Sequence, residues 1–355
     1  MSTQSLFEDD LWPYVVTLLP PNLDESARSD EALLRCRNVA DAATLVRLAL
    51  AYAVSDLSYK DTAAWAKASG VAKITGPGLF YRLRVAKKWL QSLLAHALAS
   101  EAGAAPPGLR LRIVDATVLI GPGATGTQWR AHVLIDPATG GIQSVEITDA
   151  SGGEGYARHA VEPGDIIVGD RGYAAARGMA SVIERGAHVI ARLNPHAIRL
   201  CDKDKQVVSL LDETHKIPKT GVVTWNLLMP VPPERKTASH RTWKLADALA
   251  WIPVRVLAAR NRQGHAFWIV TTLAESEMGA LRAMEVYRLR WQIELCFKRL
   301  KSLLHLDALP SKQGPTAQSW MLSRFLAAAL AQKLVEPAGS LSPWGYVLHE
   351  AKLST

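Results

Sequence analysis

Cysteine is scarce in this chain of 355 residues, with only Cys36, Cys201 and Cys296 at widely separated positions. That spacing excludes a disulfide framework or a Cys-rich zinc site, and the ten histidines form no metal-ligand pair either. The sequence also lacks an apolar run of the roughly 20 residues that span a bilayer, and its first residues lack the features of a signal peptide. We therefore expect a cytoplasmic protein in a reducing compartment, with no membrane partner.

Acidic residues are outnumbered by basic ones. Asp and Glu amount to 33 residues against 41 for Lys and Arg, so the formal net charge is +8. Such an excess indicates a polyanionic partner rather than an acidic small molecule. Two segments could account for all of it, because residues 71–88 hold five cations and no acid, and residues 282–301 hold six cations and two acids.

The N-terminal part is predicted to be helical. Apolar residues recur at helical spacing over Ala40–Val54, Asp61–Ala68 and Leu79–Leu94. A first helix at Lys60–Ser69, a turn at Gly70 and a second helix from about Gly78 resemble a helix-turn-helix. The connection is longer than usual, which leaves a plain helical bundle with a basic outer face as the alternative. In either case a surface for DNA phosphates would be formed by Tyr81, Arg82, Arg84, Lys87 and Lys88.

The pattern changes after an Ala-, Pro- and Gly-rich linker at Glu101–Gly108. Three antiparallel strands, then a strand, a helix and a strand, are predicted, which is the element order of a ribonuclease H-like core. The predicted strands are Leu109–Ile120, Gln128–Ile135, Ile142–Thr148, Asp165–Gly169 and Ala187–Leu193, with the helix at Ala174–Arg185.

A strand-rich segment then interrupts this core. Its predicted strands are Gln206–Leu211, Val222–Met229 and Trp251–Ala259, and the core resumes with a strand at Phe267–Leu273, one long helix at Glu275–Leu304 and a last helix at Ser319–Val335. The fold class is therefore α/β, a ribonuclease H-like core with a β-strand insertion, preceded by an all-α domain. The predicted boundaries are 1–105 for the helical DNA-binding domain, 106–193 and 265–310 for the two parts of the core, 194–264 for the insertion and 311–355 for a C-terminal helical segment.

One face of the long predicted helix gathers polar groups of mixed charge. On a straight helix Tyr287, Arg290, Glu294 and Lys301 form one stripe opposite an apolar face. A lone carboxylate among cations suits an anionic ligand bridged by a metal ion, whereas the alternative is an ordinary solvated charged face.

Two aspartates upstream favour the metal site. Asp115 lies in an otherwise apolar strand, where an unpaired charge is unfavourable, and Asp170 follows a buried strand. With Glu294 they would provide the oxygen ligands that Mg²⁺ requires, as in two-metal phosphoryl transfer on nucleic acid. A buried ion pair for Asp115 and a helix cap for Asp170 are the alternatives. Weaker acidic candidates, for which turn or surface roles are favoured, are Asp136, Asp165, Glu146 and Glu154.

These residues resemble the DDE transposases of bacterial insertion sequences, in particular the insertion sequence 4 family. The resemblance runs from about Arg112 to Leu304. It rests on Asp115, on Asp170 within Gly-Asp-Arg-Gly-Tyr, and on a Tyr-x2-Arg-x3-Glu-x6-Lys signature that ends at Lys301. It implies a ribonuclease H-like core interrupted between the second Asp and the Glu, and here that gap is 294 − 170 = 124 residues.

The resemblance also implies roles for individual residues. Asp115, Asp170 and Glu294 would be the catalytic residues and would hold two Mg²⁺ or Mn²⁺ ions. Trp291 would support a flipped base, and Trp268 would form the second wall of that stacking pocket, with core packing as its alternative. The phosphates of transposon-end DNA would be contacted by Tyr287, Arg290 and Lys301. Lys298, on the same predicted helix, is a further DNA-binding candidate.

The implied activity is that of a DNA transposase. Such an enzyme binds the terminal inverted repeats of its element, cuts the strands and joins them to target DNA, with a hairpin end as one route of excision. Its partner would be double-stranded DNA, at both the transposon ends and the target, and it would act as a homodimer in the DNA complex. A structure-specific nuclease that cuts without joining is one alternative, and a non-catalytic DNA-binding protein derived from a transposase is another.

Overall fold

The computed structural model of the chain describes residues 11–98, 110–121, 123, 126–138, 141–196, 198–234, 243–261, 263–306, 309–310 and 314–335. The predicted linker and residues 336–355 lie outside the described residues. The helices are α1 (Trp12–Thr17), α2 (Leu23–Ser29), α3 (Ala42–Val54), α4 (Tyr59–Ala68), α5 (Gly76–Val85), α6 (Lys87–Leu98), α7 (Ala176–Ile183), α8 (Ala280–Arg288), α9 (Trp291–Leu304) and α10 (Gly314–Val335). The strands are β1 (Arg110–Leu119), β2 (Trp129–Asp136), β3 (Gly141–Asp149), β4 (Asp165–Gly169), β5 (His188–Arg192), β6 (Val223–Val231), β7 (Ala250–Arg260) and β8 (Ala266–Thr271).

These strands form one mixed sheet in the order β3-β2-β1-β4-β5-β8-β7-β6. β1 pairs antiparallel with β2 and parallel with β4, and β4 pairs parallel with β5. The predicted α/β class is confirmed, and so is the succession of antiparallel strands followed by strand, helix and strand. The insertion supplies β6 and β7, which continue the sheet beyond β8. The predicted strand at Gln206–Leu211 is wrong, because the exposed Val207 forms no more than an isolated bridge to Cys201.

Each face of the sheet is covered by a different apolar core. Period-two alternation along β1 directs Ile113 into one core and Val114 into the other. The first core also contains residues of α8, α9 and the N-terminal helices, whereas the second contains residues of α7. Because Asp115 is two residues from Ile113, it lies on the face that α8 and α9 cover.

The last helix, α10, is largely buried and packs against α3, α5 and α6. An apolar sequence around most of its circumference is expected of a helix inside a bundle. Ser319 Oγ donates a hydrogen bond to the Leu83 carbonyl oxygen at 2.7 Å, and Arg324 pairs with Asp56. The predicted C-terminal segment and the N-terminal helices therefore share one core. No helix in the described part of the chain is long and apolar enough to cross a membrane.

The predicted helix Leu79–Leu94 is divided into the separate helices α5 and α6. The turn between them allows Leu83 of α5 and Trp89 of α6 both to enter the core. Lys87 and Lys88 therefore belong to α6, and the prediction that they lie on the second helix of a helix-turn-helix is wrong.

The predicted helix Glu275–Leu304 is broken between α8 and α9, although no proline or glycine occurs there. Across the junction the backbone N–H groups bond three residues back rather than four, so that Arg290 N–H donates to the Tyr287 carbonyl oxygen at 3.0 Å. The straight polar stripe predicted for one helix is therefore wrong, since Tyr287 and Glu294 lie on separate helices.

Candidate active site

Two adjacent parallel strands place the predicted aspartates side by side. β1 and β4 pair with Ile113 opposite Val168. Asp115 and Asp170 each lie two residues further along, and the backbone of Asp170 is still extended. Both side chains therefore project from the same face of the sheet, on neighbouring backbones about 4.8 Å apart.

The break between α8 and α9 brings two further polar side chains to these carboxylates. Tyr287, near the end of α8, donates its hydroxyl to Asp170 Oδ1 at 3.3 Å. Arg290, in the turn, contacts Asp115 Oδ2 through Nη1 at 3.5 Å and Glu294 Oε1 through Nη2 at 2.5 Å. One guanidinium group therefore joins the first and third acids, and Tyr287 links the second acid to the same network.

The three predicted acids converge, but they do not yet form a metal site. As they stand, no three Asp, Glu, His or Cys side chains among the described residues are close enough to hold an ion. The Asp115 side chain is mostly buried, whereas that of Glu294 is more than half exposed and is held by Arg290. Arg290 thus supplies positive charge to both Asp115 and Glu294.

Negative charge is concentrated around Asp115. The pKa of Asp115 is raised to about 6, mainly by burial. The Ala116 N–H and Arg290 lower this pKa, whereas the negative charges of Glu154 and Asp170 raise it further. Burial also raises the pKa of Tyr287 to about 12, and Asp170 adds to the rise, so its hydroxyl remains a donor at neutral pH. Crowded carboxylates of this kind favour the binding of a divalent cation.

The raised pKa of Asp115 predicts a pH-dependent loss of stability without metal. The pKa of an Asp is about 3.9 in an unfolded chain, and that of Asp115 is about 6 in the folded chain. The free energy of unfolding therefore falls as the pH rises from about 4 to about 6, because the folded chain disfavours the ionised form. Asp115→Asn cannot ionise. In EDTA we therefore expect the variant to be more stable than wild type by roughly 1–3 kcal/mol at pH 7 in urea unfolding, and by less at pH 4.5. An equal stability difference at the two pH values would contradict this prediction.

Glu154, for which the sequence favoured a turn or surface role, also lies beside Asp170. Its carboxylate lies against Gly172, and the pKa of Glu154 is raised by burial, lowered by Arg130 and raised further by Asp170. Gly153 and Gly155, which flank Glu154, indicate an unusual loop but not its contact with Gly172. The other weaker candidates have ion-pair partners of their own: Asp136 with Arg112, Asp165 with Arg110, and Glu146 with Arg158.

Both glycines of the Gly-Asp-Arg-Gly-Tyr segment are explained by close packing. A β-carbon on Gly169 would lie 2.8 Å from Cβ and 2.9 Å from Cγ of Tyr173. One on Gly172 would overlap the carboxylate of Glu154. The segment forms a tight turn that buries the ring of Tyr173 and leaves room for Glu154 beside Asp170.

Known proteins resemble this chain along most of its length. Residues 106–330 match the family described as the transposase DDE domain. The chain is 33% identical to the putative transposase InsL for insertion sequence element IS186A of Escherichia coli (strain K12), with 95% of this chain and 97% of that protein covered. It is also 33% identical to the transposase for insertion sequence element IS421 of Escherichia coli, with the same coverage. The chain belongs to the DDE transposase family.

The fold of this DDE transposase is similar to that of the piggyBac transposase in its synaptic complex with hairpin DNA. The TM-score is 0.50 at 7% sequence identity, and the match covers 97% of this chain and 76% of that chain. At such low identity the likeness concerns the fold alone, and it supports the predicted ribonuclease H-like arrangement. The prediction of a DNA transposase from an insertion sequence is confirmed by the family and by the relatives.

The DDE transposase family generally uses divalent metal ions. The donors that Asp115, Asp170 and Glu294 can offer are all carboxylate oxygens, which suit Mg²⁺ and Mn²⁺ rather than a soft metal. The raised pKa of Asp115 shows that positive charge from Arg290 alone does not offset its burial. The donor set and the local charge both fit a divalent ion.

The predicted stacking pocket does not form between Trp291 and Trp268. Trp291 is 46% exposed at the start of α9, whereas Trp268 is 5% exposed and packs on Trp225 in the opposite core, with ring centroids 5.2 Å apart. The prediction for Trp268 is wrong, because alternation along β8 turns it away from α8 and α9. Its neighbour Phe267 instead lines a cavity of about 760 Å³ together with Trp291 and Tyr287.

Two of the cations predicted to bind DNA already have partners within the N-terminal helices. Lys88 pairs with Asp30 at 2.8 Å, and Arg82 donates to the Arg35 carbonyl oxygen at 2.5 Å. Both are therefore less free to contact phosphate than the sequence suggests. Among the described residues, the predicted cations with neither an ion pair nor a side-chain hydrogen bond are Arg84, Lys87, Lys298 and Lys301.

Proposed function

We propose that this transposase binds the terminal inverted repeats of an insertion sequence and catalyses metal-dependent strand cleavage and strand transfer. One observation carries the proposal: Tyr287 and Arg290 connect Asp115, Asp170 and Glu294 on one face of the sheet. The guanidinium group of Arg290 also lies over the ring of Tyr287, 5.9 Å from its centroid. A structural salt bridge would not need three acids from two strands and a separate helix.

Asp115, Asp170 and Glu294 are the proposed ligands of two Mg²⁺ or Mn²⁺ ions. When bound, such ions activate the attacking oxygen and stabilise the leaving oxygen of a phosphodiester. The register of β1 and β4 keeps Asp115 and Asp170 side by side, whereas Glu294 is carried by α9 with its side chain more than half exposed. Tyr287 holds the Asp170 carboxylate in orientation through its hydroxyl.

Arg290 has two alternative partners in this proposal. Without DNA it neutralises Asp115 and Glu294. A phosphate of the transposon end is a stronger bidentate partner for a guanidinium group than two separately placed carboxylates. Binding of the DNA end would therefore draw Arg290 away and release Glu294 for the site. Lys298 and Lys301 would contact neighbouring phosphates from the same helix.

The cavity between Trp291 and Phe267 is the proposed place for a base flipped out of the transposon end. Stacking on an exposed aromatic ring is worth about 1–3 kcal/mol per base, so we expect Trp291→Ala to weaken binding of a hairpin end by about 5- to 150-fold. Trp291→Phe should retain most of the affinity. The measurement is the affinity for the end together with the fluorescence of 2-aminopurine at its terminal base.

A matched control for this prediction lies on α8. Leu281 is exposed and lines the same cavity, but it offers no ring for stacking. Leu281→Ala should therefore bind the end as wild type does. Equal losses in Leu281→Ala and Trp291→Ala would contradict a stacking role for Trp291.

Double-stranded DNA at the transposon ends and at the target is the proposed partner, bound by a homodimer. The N-terminal helices would contribute end recognition through the basic residues on α5 and α6, of which Arg84 is exposed and Lys87 half-buried. Their sharing of a core with α10 would fix these cations relative to the rest of the molecule.

A strand-transfer assay with precut ends tests the proposed function. The DNA that flanks the gene of this protein supplies the ends, and a supercoiled plasmid supplies the target. Joined products that require Mg²⁺ or Mn²⁺ are expected. A nuclease that cuts without joining would give no such product, and a DNA-binding protein without activity would neither cut nor join.

A further inference from the structure

The carboxylate of Glu154 is held in an unusually close position. It lies against Gly172, and a β-carbon added there would overlap Oε2 and approach Cδ to 2.7 Å. Gly172 is two residues from Asp170 and belongs to the same tight turn. The missing side chain at Gly172 therefore allows a carboxylate from the loop after β3 to reach the turn that carries Asp170.

A buried hydroxyl without a partner belongs to Tyr173, the residue that follows Gly172. The side chain of Tyr173 is 1% exposed, and its hydroxyl has no hydrogen-bond partner among the described residues. Burial raises the pKa of Tyr173, and the negative charges of Glu154 and Asp115 raise it further. Because an unpaired buried hydroxyl is unfavourable, we expect it to gain a polar partner when the site assembles.

The acids of the candidate site differ in how they are held. Glu294 is bound by Arg290 at 2.5 Å, and its side chain is 56% exposed. Besides burial, Asp170 raises the pKa of Glu154, and Glu154 and Asp170 both raise the pKa of Asp115. Glu154 is thus the third acid of the group that includes both aspartates, while Glu294 is still engaged elsewhere.

We propose that Glu154 is a fourth carboxylate of the active site, which joins Asp115 and Asp170 around the first divalent ion before DNA binds. Glu294 completes the site only after Arg290 has moved to the DNA end. The side chain of Glu154 reaches the ion by rotation, and Tyr173 donates its hydroxyl to the assembled cluster. This inference rests on the proposed function and specifies the order in which its site assembles.

Mn²⁺ binding to the full chain without DNA tests the proposal. The free-Mn²⁺ signal in electron paramagnetic resonance gives the affinity directly and does not depend on catalysis. We expect Glu154→Gln to weaken Mn²⁺ binding by about tenfold or more. Glu184→Gln is the matched control, because Glu184 is exposed at the end of α7 and its substitution removes the same charge. Its affinity should equal that of wild type.

Asp115→Asn distinguishes failure of this inference from failure of the proposed function. If Asp115→Asn loses Mn²⁺ affinity and Glu154→Gln keeps it, the role of Glu154 is overturned and the proposed function stands. If both variants bind Mn²⁺ as wild type does, both proposals fall. Absence of Mn²⁺ binding by the DNA-free wild-type chain would overturn the proposed order of assembly.

Discussion

Replacement of Asp115 by Asn should reduce Mg²⁺-dependent cleavage and strand transfer by about a thousandfold or more. Asn has nearly the shape of Asp but lacks its charge, so the site loses an anionic ligand whose ion contributes several kcal/mol to transition-state stabilisation. Binding of transposon-end DNA should be unchanged or slightly tighter, because a negative charge next to the phosphates is removed. Cleavage is measured on end-containing duplexes, and binding by gel shift in Ca²⁺.

Asp136→Asn is the control for this experiment. Asp136 ends β2, beside β1, and pairs with Arg112 at 3.2 Å. Its replacement removes the same charge from a neighbouring strand without touching the network of Asp115, so activity should remain. If Asp115→Asn cleaves and joins DNA like wild type, the carboxylate network is not the catalytic site.

The position of the two aspartates follows from features that a sequence displays. The alternation of apolar residues along β1 and the short apolar strand before Asp170 predict two strands, and their parallel register places Asp115 beside Asp170. The same alternation along β8 excludes Trp268 from the site. Because Phe267 and Trp268 are consecutive in β8, only one of them can face α8, and the structure assigns that face to Phe267.

Other features depend on contacts between distant segments and have no local signal. The break between α8 and α9 contains no proline or glycine, and Leu289 and Arg290 both keep right-handed helical dihedral angles. Only a shift in hydrogen bonding from the fourth to the third preceding residue marks the turn. The site of Glu154 likewise depends on Gly172, which is 18 residues further along the chain (172 − 154 = 18). The sharing of a core by α10 and the N-terminal helices spans most of the sequence.

The second large effect is expected at Arg290. If its guanidinium exchanges two carboxylates for a DNA phosphate, Arg290→Ala removes one phosphate contact and should reduce the slope of log K against log salt concentration by about 0.9. Cleavage should fall by about a hundredfold or more, since end positioning and release of Glu294 both depend on this residue. Arg290→Lys keeps the charge but not the fork geometry, so it should restore the salt slope more fully than the cleavage rate.

Arg282→Ala provides the comparison for these variants. Arg282 is an exposed cation on α8 that pairs with Glu285 at 3.2 Å, and it does not contact the three acids. Its loss should alter neither the salt slope nor the cleavage rate appreciably, because a surface ion pair is worth about 0–1 kcal/mol. Should Arg290→Ala keep the wild-type salt slope while losing cleavage, Arg290 would act only on the carboxylates, and the exchange of partners would be excluded. Should Arg290→Ala show the reduced salt slope while cleaving DNA normally, Arg290 would bind DNA without controlling Glu294.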